Sequence, residues 1–215
     1  MSRSTRNRIV EAARALFAQK GYASTSIAEI ARHAKANPGS VYFFFPMKQD
    51  VLLAVLDTYR SGIRQMLLAP AWQGVQDPID RVFALLDLYR TLLVNSGCAY
   101  GCPIGILALE LHEPDPPVRK ALAANFEAWI RAIEECLVAA GPRLPREVDR
   151  RTLATFVLTT MEGAVMQART FGSLAPYDAS IAVLRDHFTR LERDATEHRP
   201  RRRARRNRKT ARRRA

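Results

Sequence analysis

Apolar positions recur along this chain at steps of three and four, with no stretch of strict alternation. Ile9, Ala13, Leu16 and Phe17 mark one face of a first helix, which Gly21 closes as a left-handed cap. Ile27, Ile30 and Ala31 give a short stripe after Ser26, which pairs with Glu29 as a capping box. A second start follows Lys35-Ala36: Asn37 is a favourable N-cap and Pro38 is pre-set for the first helical turn. Val41 and Phe45, one turn apart, face a core and leave Asn37, Gly39, Ser40 and Tyr42 on other faces. Lys48 to about Leu68 reads as a longer amphipathic helix closed by Pro70. Further helices are predicted from Asp77-Pro78 to about Asn95, from Cys102-Pro103 to before Pro114, and from Pro116-Pro117 to Gly141-Pro142. Two more run from about Arg146 to Phe171 and from Tyr177 to about Asp194. The pattern predicts an all-α chain of about nine helices, in a small N-terminal bundle (residues 1–50) and a larger C-terminal one (51–198).

Charge sharpens that division. The net charge of +13 is concentrated at the ends: residues 199–215 hold 11 Lys plus Arg and no acid, and the first 50 residues carry 8 basic against 3 acidic groups. Residues 51–198 are mildly acidic, at net −3. A phosphate polymer is therefore attracted to the head and the tail but not to the body. The Arg-rich tail cannot form a core and is predicted to be disordered when free, an arm that adds phosphate contacts. No run approaches the ~20 apolar residues that span a bilayer. The N-terminal MSRSTRNR lacks the apolar segment of a signal peptide, so a cytoplasmic chain with no membrane partner is expected. Three cysteines do not make a disulfide scaffold.

The stretch Thr25 to Leu52 reads as two short helices joined by a tight turn. That is the form of a helix-turn-helix, whose second helix enters the major groove of double-stranded DNA by its N-terminal residues. The surrounding sequence resembles the TetR family of transcriptional regulators. Residues 8–20, RIVEAARALFAQK, are similar to the family's first helix. Gly39-Ser40-Val41-Tyr42 followed by Phe45-Pro46-Met47-Lys48 is similar to its recognition helix and the start of its fourth. Two residues depart from the pattern: Lys35 stands where the turn usually has Gly, and Met47 where a small N-cap usually precedes the lysine. The resemblance implies a three-helix helix-turn-helix head on a C-terminal helical domain for ligand binding and dimerisation.

Residue chemistry gives candidate contacts. Tyr42 and Lys48 suit phosphate oxygens, and their family counterparts contact the backbone. Thr25 and Ser26 are helpers at the start of the motif's first helix, Ser26 doubling as its cap. Base reading falls to Lys35, Asn37, Pro38, Gly39 and Ser40, with Pro38 and Phe44 placed to meet thymine methyls; one of Phe43 and Phe44 packs in the core. A palindromic operator calls for a two-fold homodimer. Two stripes are candidates for its interface: Leu153, Val157, Met161 and Ala164, and Ile181, Leu184, Phe188 and Leu191. The alternative for both is one internal core.

The acidic body is expected to hold a small-molecule effector, with Tyr59, Tyr89, Trp129 and Phe156 among the candidate walls. The segment GCPIGILALEL, from Gly101, resembles a stretch in a TetR subgroup that includes repressors responding to electrophiles such as N-ethylmaleimide, with a Cys where Cys102 stands. Cys102 precedes Pro103 at a helix N-terminus, where the dipole favours thiolate, and Cys98 is a candidate resolving partner. Simple burial of both thiols is the alternative. His33, His112, His187 and His198 are scattered, with no HExxH, nucleophile elbow or phosphate-binding glycine loop, so neither an enzyme, a cofactor nor a metal is predicted. A rival reading is a non-specific nucleic-acid packaging protein driven by the tail.

Overall fold

The computed structural model describes residues 3–211, with side chains from Ser4 to Glu197. Helices α1 (Arg3–Lys20), α2 (Ile27–His33) and α3 (Pro38–Phe44) form the head. The body follows as α4 (Lys48–Ile63), α5 (Ala69–Trp72), α6 (Pro78–Asn95), α7 (Pro103–Glu110), α8 (Pro116–Ala139), α9 (Arg150–Phe171) and α10 (Ala175–Ala211). There is no strand among the described residues. None of the helices is long and apolar enough to cross a membrane among those residues.

Local chemistry sets the ends of the head's helices. Gly21, at φ +86°, donates its N–H to the Phe17 carbonyl at 3.0 Å and closes α1. The Ser26 hydroxyl accepts the Glu29 N–H at 3.2 Å while Glu29 accepts the Ser26 N–H at 3.0 Å, completing the capping box. Asn37 caps α3 by accepting the Ser40 N–H at 2.7 Å, with Pro38 in the first turn. Between them Lys35 takes the left-handed conformation, φ +50°, that glycine usually supplies. The Ala36 N–H reaches the Ala31 carbonyl at 2.9 Å and the Lys35 N–H the Arg32 carbonyl at 3.2 Å, the paired bonds of a Schellman cap. Lys35 thus fills the position glycine usually takes, with both cap bonds made.

One departure from the sequence pattern lies after α4. Pro70 does not end the helix, because residues Arg64–Leu68 form a π turn in which the Ala69 N–H reaches the Arg64 carbonyl. The chain then runs on through α5 with Pro70 in its first turn, where a missing N–H is tolerated. A second departure is the tail. The backbone of α10 stays helical to Ala211, through most of the segment expected to be disordered, in keeping with the high helix propensity of Arg and Ala. The side chains of 198–215 lie outside the described residues.

A continuous buried cluster links head and body, from Ile9 and Phe17 through Leu52 and Leu56 to Leu137, Val157 and Phe188. Within the body, α8 packs between α4 and α9, and α10 lies along α9. Buried Asn125 on α8 donates to the Leu56 carbonyl at 3.0 Å, tying α8 to α4, and Tyr177 donates to the Leu86 carbonyl at 2.7 Å, tying α10 to α6.

The stripes expected at a dimer interface are in fact this core. Leu153, Val157, Met161 and Ala164 of α9 and Ile181, Leu184 and Phe188 of α10 are all buried within one chain, and Leu191 is half-buried. The most continuous apolar stripe of each helix goes to its own bundle, because that contact is available on folding without a partner. The outward faces carry other residues, among them Phe156 at 50% exposure and Val183 at 72%. The Phe156 and His187 rings lie 6.1 Å apart, so the outer faces of α9 and α10 form a continuous surface.

Candidate nucleic-acid interface and effector cavity

Helix α3 buries Ser40 and Val41, its C-cap Phe45 is buried as well, and its remaining residues apart from the half-buried Phe44 turn outward. Lys35, Asn37, Pro38 and Gly39 are exposed at its N-terminal end. Tyr42 is 53% and Phe43 69% exposed. Phe43, and not Phe44, is the outward member of that pair: Phe44 is half-buried against the core, with the two rings edge to face at 5.1 Å. Two other candidates turn inward. Ser40 is buried and its hydroxyl donates to Asn37 Oδ1 at 2.9 Å, so it braces the N-cap instead of presenting a polar edge to a base. Thr25 is buried, its hydroxyl donating to the Gly21 carbonyl at 2.7 Å, and is committed to the link between α1 and α2. Ser26 remains exposed at the α2 N-terminus.

Lys48 opens α4 beside that link. Its Nζ sits 4.3 Å from the centre of the Tyr22 ring and donates to the Ala23 carbonyl at 3.3 Å, while burial lowers its pKa from the usual lysine value. The carboxylate of Glu110, the last residue of α7, accepts the Tyr22 N–H at 2.8 Å and the Ala23 N–H at 2.6 Å. A side chain at Gly21 would meet that carboxylate at 2.8 Å, a second reason for glycine there. The short loop between α1 and α2 is thus gripped by α4 on one side and α7 on the other. Sequence reading missed Glu110, since 88 residues separate it from Tyr22 and nothing local pairs them.

Helix α7 also borders two cavities in the body. The smaller, of about 300 Å³, lies among α1, α4, α6, α7 and α8, and Tyr59, Tyr89, Trp129 and Cys102 all line it. Tyr89 and Trp129 stack edge to face at 5.5 Å. The larger, of about 760 Å³, runs between α7, α8 and α9; its walls include Leu109, Phe126, Ile130 and Met166, with Glu162 and Arg169 the charged groups. Phe156 lines neither cavity, because its position on α9 faces outward.

Cys102 is the N-cap residue of α7, as its place before Pro103 predicts, but its thiol is not activated. It is buried beside Glu162 and accepts the Tyr89 hydroxyl at 3.7 Å. Burial, followed by the charge of Glu162, pushes the thiol up to about 12 from an ordinary 9.0. Burial thus works against the reactive thiolate expected at this helix start. Cys98 is also buried, in a left-handed turn at φ +61°, and borders neither cavity. Cys136 is buried as well, its thiol pushed up to about 11.

A helix-turn-helix head carried on a helical body defines a class: a DNA-binding regulator. Residues 9–55 match the profile of the bacterial regulatory proteins of the tetR family, and residues 78–182 that of the transcriptional regulator LmrA/YxaF-like C-terminal domain. An uncharacterized HTH-type transcriptional regulator of Mycobacterium tuberculosis is 30% identical over 186 residues, covering 84% of this chain and 92% of its own. The HTH-type transcriptional regulator LmrA of Bacillus subtilis is 27% identical, over 80% of this chain and 90% of its own. The structure of regulatory protein TetR from Rhodobacter sphaeroides superposes with a TM-score of 0.74 at 25% identity, over 86% of this chain and 97% of that one. Reduced NemR of Escherichia coli, at TM-score 0.74 and 21% identity over 85% of this chain and 95% of its own, shares the fold. The chain belongs to the TetR family of transcriptional regulators.

Proposed function

We propose that this protein is a transcriptional repressor that binds a palindromic operator as a homodimer and is released when a small molecule enters the body. The observation that carries the reading is the grip of Glu110 on the α1–α2 loop, because α7 borders both cavities and holds the head at its far end. An effector that favours a shifted α7 or α4 would change the spacing of the two recognition helices, which is the differential affinity that release requires. Two copies meet through the outer faces of α9 and α10, around Phe156, Val183 and His187. Tyr42 and Lys48 hold phosphates, and Lys35, Asn37, Pro38 and Gly39 meet base edges, with the outward Phe43 in the apolar role against thymine methyls. The protein acts in the cytoplasm and is not an enzyme; the relatives named above are regulators, and a related protein of Mycobacterium sp. (strain GP1), DhaR, is named a repressor.

The effector is non-covalent in this reading, since a buried Cys102 held in its thiol form is a poor nucleophile. Selection of bound DNA from a random pool, with full-length protein and with residues 1–198, tests the whole reading. A regulator enriches one palindrome in both forms. A packaging protein driven by the basic tail enriches none, and loses nearly all binding on truncation.

A further inference from the structure

The body places one carboxylate in a largely apolar cavity without a cation to balance it. Glu162 lies on the inner face of α9, against α7, where Gly105 leaves room: any side chain at Gly105 would collide with the Glu162 carboxylate. Among the described residues the Cys102 thiol is its polar neighbour in the cavity, and it makes no ion pair. Arg169 lines the same cavity but is exposed, two helical turns further along α9. Burial raises the Glu162 carboxyl from its ordinary range, which measures how poorly the empty site supports the charge.

Glu162 is half-buried in a cavity that opens to solvent past Leu109 and Met166, and a carboxylate against apolar walls with no cation beside it is a candidate to serve a ligand. A carboxylate has about four acceptor positions, so one thiol leaves several open toward the cavity. The walls on either side, Phe126 and Ile130 of α8 and Leu109 and Met166, are apolar or aromatic. We infer that the larger cavity binds a hydrophobic amine, with its ammonium on Glu162 and its apolar body against α8. This rests on the reading of the body as the effector domain and gives that effector a chemical class. Charge complementarity is the discriminating feature: a neutral molecule of the same shape fills the walls but leaves the carboxylate unpaired, and an anion is repelled by it.

The test uses three probes of one shape, 4-phenylbutylamine, 4-phenylbutanol and 4-phenylbutyrate, in calorimetry on the full-length, DNA-free protein. The amine is expected to bind at least about tenfold more tightly than the alcohol, with the acid weakest. Glu162→Gln should bring amine and alcohol to equal affinity, while Glu162→Asp keeps the amine's preference. Equal binding of amine and alcohol by the unaltered protein, strongest binding of the acid, no binding of any probe, or an amine preference that survives in Glu162→Gln each overturns the proposal. The comparison on the unaltered protein decides even where a variant fails to fold. Because no DNA is present, failure of the operator selection would sink the repressor reading without touching this result.

Discussion

Lys35 sits where the head's geometry and its chemistry pull in opposite directions. Its φ of +50° makes it a left-handed residue with a side chain, a conformation that costs roughly 1–2 kcal/mol outside glycine. Its exposure beside the N-terminus of α3 places an ammonium where a DNA contact would repay that cost. Lys35→Gly is therefore expected to stabilise the protein by about 1 kcal/mol in thermal melts while weakening operator binding in titrations. A loss of stability would show that the turn has adapted to lysine. Ser40 gives the opposite case. With its hydroxyl spent on Asn37, Ser40→Ala should cost about 1 kcal/mol of stability and leave the selected operator sequence unchanged. A relaxed base preference would restore Ser40 as a reading residue. At Cys102 the shift from 9.0 to about 12 lowers the thiolate fraction about a thousandfold at neutral pH. Mass spectrometry after N-ethylmaleimide treatment should find Cys102 protected in the native protein and modified in urea. Rapid native labelling that also releases DNA would reinstate the electrophile model.

At the scale of the element, α2 depends on one carboxylate. The Lys20 ammonium, then the Ser26 backbone and hydroxyl, hold Glu29 at about 2 from an ordinary 4.5. Because the folded value is depressed, the stability this group gives is complete above the ordinary range and drains as pH falls from about 4.5 through about 2. Melting curves followed at pH 7 and in steps to pH 2.5 should show this loss, and Glu29→Gln should reduce the slope. An unchanged slope in that variant would assign the acid sensitivity to other carboxylates, such as Asp149, whose pKa the Thr152 hydroxyl and then the Thr152 N–H likewise lower. The π turn after α4 is an element of another kind. Its extra residue shifts the phase of the helix just where Met66 and Leu67 enter the smaller cavity.

For the whole molecule the question is which surface makes two copies into one reader. The stripes that look most like an interface are consumed inside the chain, and the remaining outer face of α9 and α10 is mixed, with Phe156, Gly163, Val183 and His187. Val183→Glu puts a charge on that face at a position 72% exposed in the single chain, so it should leave folding intact. Light scattering is expected to shift from dimer to monomer, with loss of the symmetric footprint. A dimer that persists unchanged would place the two-fold axis elsewhere.

Much of this was legible in the order of residues. Ser26, Glu29, Asn37, Pro38 and Gly21 act within four positions of their own chain, so caps, turns and the helix-turn-helix follow from local bonds that a sequence displays directly. The same local logic gave the all-α class and the placing of Cys102 at a helix start. Tertiary structure alone decided the rest, because it depends on which face of a helix meets which neighbour. A periodicity says that a helix has an apolar side but not whether its own chain or a second copy covers it, so the sequence leaves the stripes of α9 and α10 open between interface and core. Ser40 and Phe44 turned inward for the same reason, since the phase of a seven-residue helix is set by what it packs on. The pairing of Glu110 with Tyr22 and the burial of Cys102 beside Glu162 join groups 88 and 60 residues apart, where only packing decides whether a charge is screened, paired or left without a cation.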